Sequence, residues 1–331
     1  MTLVNGHKVE AILVLGAMLL ALTCPADAQQ PKRVGYLAPV FPCSENVPSL
    51  EAFRQGLRKL GYVEGQNIAL ECRSAGGNAD RLRELAAELV GLKVDVIIAG
   101  GGELVARAAK QATQTIPIVM TNAADPVETG LVASLARPGG NITGLVTFSP
   151  ELSGKRLELL KEALPKVSRI AVLTNPANPE QEARVKETKA AAQELKVQLQ
   201  ILEVREPGAF DKAFLAITNE HAQALLPLGD PLIVSQRKQI VDFATKNRMP
   251  AMYHRMEFVD VGGLMAYGPS YNDLFFRAAT YVDKIFKGTK VAELPIEQPT
   301  KFEFVINLKT AKQIGLTIPP NVLARADKVI K

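Results

Sequence analysis

The stretch DVIIAGGGELVARAA, residues 95–109, joins an apolar run to an alanine-rich pattern through three consecutive glycines. The apolar run is typical of a buried strand, and the alanine-rich pattern predicts a helix directly after Gly102. A strand end, a turn without side chains and a helix N-terminus together form a crevice with outward-facing backbone N–H groups. The stretch therefore predicts a polar ligand site at the end of a sheet, although the same glycines also suit a tight turn alone.

The alternation of strands and helices continues along the chain. RVGYLAPV (33–40) predicts a strand, and SLEAFRQGLRKLGY (49–62) predicts a helix with one apolar face. IPIVMTN and DPVETGLVASLA (125–136) predict a further strand and helix. A second series of alternating strands and helices begins with PGGNITGLVTF (138–148). Alternating β and α segments require parallel sheets with helices on both faces. The predicted fold class is therefore α/β, with two Rossmann-like lobes joined by a hinge of several crossovers.

The end of the chain contains too few elements for a third core. We expect each of its segments to pack against one of the two lobes and to complete that lobe. The first lobe would then comprise residues 29–147 and 269–299, and the second residues 148–268 and 300–331. Crossovers near Phe148, Gly268 and Thr300 are typical of a hinge between closing lobes.

The N-terminus has the pattern of a secretory signal peptide. Lys8 precedes an apolar stretch at residues 11–22, and small residues lead to an A-x-A site that ends at Ala28. About a dozen apolar residues are too few to span a bilayer core, which needs roughly 20. The sequence ALTC around Cys24 fits a lipoprotein signal poorly, so a periplasmic protein without a lipid anchor is favoured. We expect residues 1–28 to be removed.

The motifs of several enzyme classes are absent from the sequence. Read as the dinucleotide-binding motif G-x-G-x-x-G from Gly100, the glycine stretch has Val105 where the last glycine should stand. A P-loop requires Ser or Thr after Gly-Lys, but Gly154-Lys155 is followed by Arg156. No G-x-S-x-G elbow is present, and no pair of carboxylates stands out. Two histidines and two cysteines after the signal segment do not suffice for a zinc site. The sequence predicts a protein that is not an enzyme and has no cofactor and no metal.

The charge pattern argues against a nucleic-acid partner. The formal net charge is +5, spread over both signs along the chain without a block of basic residues. Basic residues interleaved with aromatic ones, as in a nucleic-acid groove, do not occur.

Longer motifs resemble a known family. DPVETGLVASLARPGGNITG, KRLELLKEALPKVSRIAVLTNPANP and QPTKFEFVINLKTAKQIGLTIPP resemble the tryptophan-receptor-like substrate-binding proteins of ABC transporters, in the type I periplasmic-binding-protein superfamily. The resemblance implies a protein that captures a small polar ligand, planar or amino-acid-like, between two closing lobes and delivers it to an inner-membrane permease with a cytoplasmic ATPase. We expect the protein to be a monomer. Two alternatives remain open: a sensor subunit for a membrane kinase, and a two-lobed α/β enzyme.

The resemblance also implies that the ligand contacts the loops after the strands. In this sequence those candidates are Pro39, Phe41, Gly101, Gly102, Glu103, Asn122 and Asp125 in the first lobe, and Phe148, Asn175, Asp230, Tyr253, Glu257 and Tyr267 in the second. Three of the candidates have an alternative role as helix caps or turn formers: Asp125, Asn175 and Asp230.

Two departures from the family affect the expected ligand. Glu103 stands where related sequences carry Thr or Ser, and the chain contains no tryptophan. Both observations argue against transferring an aromatic amino acid as the ligand. If Glu103 and Asp230 both face the cleft, the ligand should carry a cationic or hydrogen-bond-donating group.

Cys43 and Cys72 are candidates for a disulfide. Export places both thiols in an oxidising compartment. The first two strands of a doubly wound lobe are neighbours about 4.8 Å apart, which is compatible with the Cα separation of a disulfide. The alternative is two free thiols, with Cys72 packed beneath a helix.

Overall fold

A computed structural model of the protein describes residues 30–43, 47–147 and 149–331. The predicted signal segment, including Cys24, lies outside the described residues, and so does Phe148. Within the described part, no helix has the length and apolarity needed to cross a membrane.

The strands form a five-stranded sheet in the first lobe, and a three-stranded and a four-stranded sheet in the second. The first-lobe strands are β1 (Lys32–Ala38), β2 (Ile68–Ser74), β3 (Val96–Ala99), β4 (Ile118–Ala123) and β5 (Ile142–Val146). The second-lobe strands are β6 (Arg169–Thr174), β7 (Gln198–Glu203), β8 (Ala224–Pro227), β9 (Met252–Tyr253), β10 (Met265–Pro269), β11 (Phe302–Asn307) and β12 (Lys328–Ile330).

The α-helices cover both faces of the sheets. In chain order they are α1 (Pro48–Lys59), α2 (Leu82–Gly91), α3 (Glu103–Ala112), α4 (Ser149–Ala163), α5 (Glu180–Glu194), α6 (Ala209–Asn219), α7 (Pro231–Ser235), α8 (Arg237–Lys246), α9 (Met256–Asp260), α10 (Tyr271–Phe286), α11 (Leu308–Gln313) and α12 (Pro320–Leu323). The alternation of strands and helices confirms the predicted α/β class.

The first sheet is fully parallel, with the order β2-β1-β3-β4-β5. Its central strand β3 has the sequence VIIA and is buried throughout, as a strand covered on both faces requires. Helices α2 and α3 pack on one face, whereas α1 and α10 pack on the other. The backbones of α1 and α10 approach closely because Gly56 has no side chain: a Cβ there would lie 2.5 Å from the Phe276 carbonyl oxygen.

The strands of the second lobe are mixed in direction. Strands β7-β6-β8 are parallel, and a bridge between Leu225 and Ala251 connects them to β9, which continues through β10 and β11 to β12. Strand β11 is antiparallel to β10, so the last part of the chain completes the four-stranded sheet instead of forming a third core. The carboxyl ends of the parallel strands in both lobes lead into loops that line one cleft.

The helix predicted at residues 125–136 is wrong, because this segment consists of turns. Leu131 and Val132 are buried in the core of the first lobe. The chain turns at Gly130, whose φ is 68°. A hydrogen bond from the Ala133 N–H to the Pro138 carbonyl, at 2.9 Å, closes the loop that follows. A glycine in the left-handed region and a nearby proline favour a compact loop over a helix.

A disulfide joins Cys43 to Cys72, with the two Cα atoms 5.8 Å apart. Cys72 lies in β2 opposite Tyr36 of β1, so the bridge fixes the loop after β1 to the adjacent strand. That loop carries Pro39 and Phe41, which line the cleft.

We predict that reduction of this bridge destabilises the protein. The bond closes a segment with a sequence separation of 29 residues, and loops of this length contribute roughly 3–4 kcal/mol in the chain-entropy model. Urea unfolding of the protein lacking residues 1–28, with and without reductant, measures the loss, and the Cys43→Ser/Cys72→Ser variant should lose no further stability on reduction. Two free thiols in the denatured, unreduced protein would refute the bridge.

Candidate ligand-binding cleft

The cleft lies between the two lobes. Its empty volume, including the opening to solvent, is about 800 Å³, within the size range of small-molecule sites. The first lobe contributes aromatic side chains and the glycine turn after β3, whereas the second lobe contributes most of the charged groups. The lining includes Tyr36, Pro39, Phe41, Gly100, Gly101, Gly102, Asn122, Tyr271 and Phe275 on the first side, and Arg156, Asn178, Glu180, Arg184, Asp230, His254 and Arg255 on the second.

The three glycines are required by close packing and by backbone conformation. A Cβ at Gly100 would lie 2.8 Å from the Tyr36 hydroxyl, and one at Gly101 would lie 2.4 Å from the Pro39 ring. Gly102 has a φ of 77° and immediately precedes α3. Its N–H donates to Oδ1 of Asn122 at 3.0 Å. The turn therefore places the N-terminus of α3 at the cleft, as the sequence predicts.

The N-terminus of α3 is occupied by a carboxylate of the protein itself. The backbone N–H of Glu103 donates across the cleft to Oε1 of Glu180, at 3.2 Å, in the first turn of α5. Glu180 also forms a buried ion pair with Arg184. A helix N-terminus favours negative charge, so this contact fills the position where an anionic ligand group would otherwise bind.

The side chain of Glu103 does not line the cavity. It is only 4% exposed, and its Oε1 accepts a hydrogen bond from the Asp125 N–H at 2.9 Å. Its Oε2 is buried without a partner among the described residues. Burial, and secondarily the charge of Glu180, raise the pKa of Glu103 to about 7.

Asp230 both caps a helix and lines the cavity. Its Oδ1 accepts hydrogen bonds from the Asn175 amide at 3.1 Å and from the Leu232 N–H at 2.8 Å, which caps α7. Its Oδ2 accepts one from the Asn178 amide at 2.8 Å. A carboxylate accepts about four hydrogen bonds, so Oδ2 retains capacity for one further donor.

Arg156 is a buried cation at the cavity wall. It lies in α4, is 4% exposed, and its Nε donates to the Tyr267 carbonyl at 2.7 Å. Burial lowers the pKa of Arg156 to about 10, which leaves it charged at neutral pH. No described acidic residue forms an ion pair with it. A buried charge without a counterion is costly, and this one has N–H groups left to donate.

His254 stands among positive charges and is neutral. Burial, together with the charges of Arg156, Arg255 and Arg184, lowers the pKa of His254 well below its ordinary value. Its Nδ1 is buried and lacks a hydrogen-bond partner within the described chain. His254 therefore adds no positive charge to the cavity lining.

Arg255 reaches from the second lobe into the aromatic side of the cleft. Its guanidinium carbon lies 3.9 Å from the ring centroid of Tyr271 and 5.8 Å from that of Phe41. Behind it, Glu257 accepts hydrogen bonds from Nε at 3.1 Å and from Nη2. Arg255 is therefore held by an ion pair on one side and by aromatic rings on the other.

The structure brings only part of the predicted site to the cavity. The candidates that line it are Pro39, Phe41, Gly101, Gly102, Asn122 and Asp230. The candidates outside its lining are Glu103, Asp125, Asn175, Tyr253, Glu257 and Tyr267. Phe148 lies outside the described residues, and direct ligand contact by any candidate stays a prediction.

Each candidate away from the lining has another partner. Asp125 Oδ1 accepts hydrogen bonds from two N–H groups of the turn that follows it, and Asn175 is turned toward Asp230. Tyr253 stacks on Phe258 in the hydrophobic core at 4.6 Å between ring centroids. The three others are held as follows: Tyr267 packs against Phe304, Glu257 pairs with Arg255, and Glu103 bonds to Asp125.

Sequence reasoning missed three charged residues of the second lobe that line the cleft: Arg156, Glu180 and Arg184. A fourth, Arg255, lies within the expected ligand loop from Tyr253 to Glu257 but was not itself a candidate. One signal was available in the sequence. Arg156 falls at helical spacing from Leu160 and Ala163, which are both buried, so it interrupts an apolar face. An arginine within such a face requires a buried partner or a ligand.

The family assignment follows from comparison with known proteins. The family model described as ABC transporter substrate binding protein matches residues 47–330. The chain belongs to this family. Because the family consists of binding proteins, the prediction that the chain is not an enzyme is confirmed, and so is the resemblance drawn from the sequence motifs.

Individual relatives agree with this assignment. A tyrosine-binding protein of Clostridioides difficile (strain R20291) is 30% identical over 274 residues, which cover 81% of this chain and 78% of the relative. A crystal structure of a conserved domain protein from Vibrio cholerae is 30% identical with a TM-score of 0.82, covering 91% of this chain and 100% of that one. An ABC domain from Streptococcus pneumonia in complex with L-Trp is 26% identical with a TM-score of 0.78, covering 90% and 100%.

We predict that Glu103 makes the stability of the protein depend on pH. Its pKa is raised from 4.5 to about 7, so the folded chain binds an extra proton between these values. The corresponding stability is present below about pH 4.5 and is lost as the pH rises through about 7. The unfolding free energy of Glu103→Gln minus that of the wild type should therefore be larger at pH 8 than at pH 5, by on the order of 1–3 kcal/mol.

Urea unfolding at both pH values measures this difference. The exposed Glu128 lies in the turn that follows, and Glu128→Gln controls for the removal of one negative charge. A free-energy difference between Glu103→Gln and the wild type that is the same at pH 5 and pH 8 would contradict the prediction.

Proposed function

We propose that the protein is the periplasmic binding component of an ABC importer and that its ligand is an α-amino acid. The observation that carries the proposal is the presence of two opposite charges at one cavity, each buried and each with unused hydrogen-bonding capacity. These are the guanidinium of Arg156 and the carboxylate of Asp230. An amino-acid zwitterion presents a matching carboxylate and ammonium group.

Arg156 suits the ligand carboxylate. Its guanidinium has five N–H donors, and only Nε is bonded to the described part of the chain. The alternative anion site, at the N-terminus of α3, is already filled by Glu180. Arginine binds a carboxylate with two parallel hydrogen bonds, which fixes both the position and the orientation of the ligand.

Asp230 suits the ligand ammonium group. Two asparagine amides and one backbone N–H hold its carboxylate rigidly, and Oδ2 can accept one more hydrogen bond. The ammonium would thus meet a preformed acceptor that needs no rearrangement. The helix cap and the ligand contact are compatible, because they use different lone pairs.

The names of relatives support an amino-acid ligand. One is a tyrosine-binding protein, and another was solved in complex with L-Trp. What this chain would share with them is recognition of the zwitterion that all α-amino acids possess.

We further propose that the lobes close around the ligand at a hinge near Phe148, Gly268 and Thr300. The lobes would comprise residues 29–147 with 269–299, and residues 148–268 with 300–331. This division is supported by the packing of α10 on α1 and the pairing of β11 with β10. The closed protein would act as a monomer and deliver its ligand to an inner-membrane permease with a cytoplasmic ATPase.

We predict that Arg156→Gln weakens amino-acid binding by about 2–4 kcal/mol, roughly 30- to 700-fold, because a buried charge pair is lost. Asp230→Asn should weaken it by one to several kcal/mol for the same reason. Isothermal titration calorimetry with the twenty L-amino acids measures both effects. The methyl ester of the best ligand lacks the carboxylate, so the wild type and Arg156→Gln should bind it with equal affinity. Lys155→Gln is the matched control, since Lys155 pairs with Glu158 on the same helix. The proposal is contradicted if no α-amino acid binds the wild type.

We also predict that the ligand compacts the protein. Ligand at one hundred times its dissociation constant should stabilise the fold by about 2.7 kcal/mol. Small-angle X-ray scattering should then show a smaller radius of gyration. A scattering profile that does not respond to a ligand that raises the melting temperature would rule out closure at the hinge.

A further inference from the structure

We infer that Arg255 determines which amino-acid side chain the cleft accepts. Its guanidinium covers the aromatic wall of the first lobe and leaves N–H donors for the ligand. The cleft would therefore select a side chain that ends in a hydrogen-bond acceptor, a carboxamide or a carboxylate, over an aromatic ring. This inference rests on the proposed function, because it takes the ligand to be an α-amino acid.

The first-lobe side of the cavity is rich in aromatic rings. Tyr36, Phe41, Tyr271 and Phe275 all line it. Rings of this kind would stack on an aromatic ligand side chain if they were accessible. Tyr36 and Phe275 instead pack on each other, with their ring centroids 6.1 Å apart.

The two remaining rings are already in contact with cations of the chain. The guanidinium carbon of Arg255 lies 3.9 Å from the Tyr271 centroid and 5.8 Å from the Phe41 centroid. That of Arg237 lies 4.9 Å from the Phe41 centroid. Both distances for Arg255 are within the range of cation–π attraction. An aromatic ligand would have to displace Arg255 to reach these rings, and the ion pair with Glu257 opposes such a movement.

The free donors of Arg255 define the chemistry of the side chain that fits. Glu257 accepts from Nε and from one N–H of Nη2, which leaves three of the five donors without a partner in the described chain. A donor left unpaired in a closed cleft is costly, so an acceptor on the ligand is favoured. A cationic side chain is disfavoured because it offers no acceptor to these three donors of Arg255.

Calorimetric titration with five probes tests the inference: L-glutamine, L-glutamate, L-phenylalanine, L-tyrosine and L-lysine. The wild type should bind glutamine or glutamate at least 10-fold more tightly than the other three. The double variant Arg255→Ala/Glu257→Gln removes both partners of the ion pair, so no unpaired charge stays buried. It should bind the preferred ligand at least 10-fold more weakly and phenylalanine or tyrosine more tightly, which reverses the ranking.

Arg237→Ala is the matched control, because Arg237 also contacts Phe41 but does not line the cavity. Its ranking of ligands should equal that of the wild type. Arg255→Lys keeps the charge beside Glu257 without the planar fork of donors. It should reduce the preference for glutamine or glutamate about 10-fold, and it provides the test if the double variant does not fold.

The outcomes separate the two proposals. If the wild type binds phenylalanine or tyrosine as tightly as glutamine and glutamate, or if Arg255→Lys keeps the full preference, the inference is overturned and the amino-acid function stands. If none of the five probes, nor any other α-amino acid, binds the wild type, the proposed function fails and the inference fails with it.

Discussion

The carboxylate of Glu180 connects the two lobes at the N-terminus of α3. It belongs to the second lobe, and it accepts a hydrogen bond from the Glu103 N–H of the first. The partial positive charge of a helix N-terminus stabilises it there, and Arg184 holds it in place. Arg184 also donates to the Gly229 carbonyl, directly before Asp230. One contact therefore joins the two sides of the cleft, and the arginine that holds it also bonds to the residue before the Asp230 carboxylate.

This contact also determines where an anionic ligand group can bind. Since Glu180 and Arg184 neutralise each other, as Glu257 and Arg255 do, the described charges left for a ligand are those of Arg156 and Asp230. One is positive and the other negative, so a zwitterion balances both, whereas a simple cation or anion leaves one of them buried and unpaired. Unpaired buried charges cost several kcal/mol, which makes charge balance a stronger constraint on the ligand than the shape of the cleft.

The sequence was sufficient to predict the fold and the loops, but not the charges that govern the cleft. The glycine turn and Asp230 were found because parallel strands end at a common edge, and the loops after them must meet. Arg184 was missed because α5 is polar over most of its length and predicts an exposed helix. Its burial comes from contacts with Glu180 and with the Gly229 carbonyl of the loop after β8, and the polar pattern of α5 does not encode a contact with so distant a loop. The turns at residues 125–136 were mistaken for a helix because Val127, Leu131 and Leu135 recur at helical spacing, although only Leu131 of the three is fully buried.

The main chain and the side chain of Glu103 contact different parts of the structure. If Glu103 and Asp230 both faced the cleft, the sequence would predict a ligand with a cationic or hydrogen-bond-donating group. In the structure only its backbone N–H points across the cleft, whereas its carboxylate turns to the Asp125 N–H. The first residue of a helix has an N–H without an intrahelical partner, so its main chain and side chain can serve different lobes. With Glu103 outside the cavity lining, Asp230 and Arg156 are the lining charges without an ion-pair partner in the described chain, so the proposed ligand carries a carboxylate in addition to the hydrogen-bond-donating group.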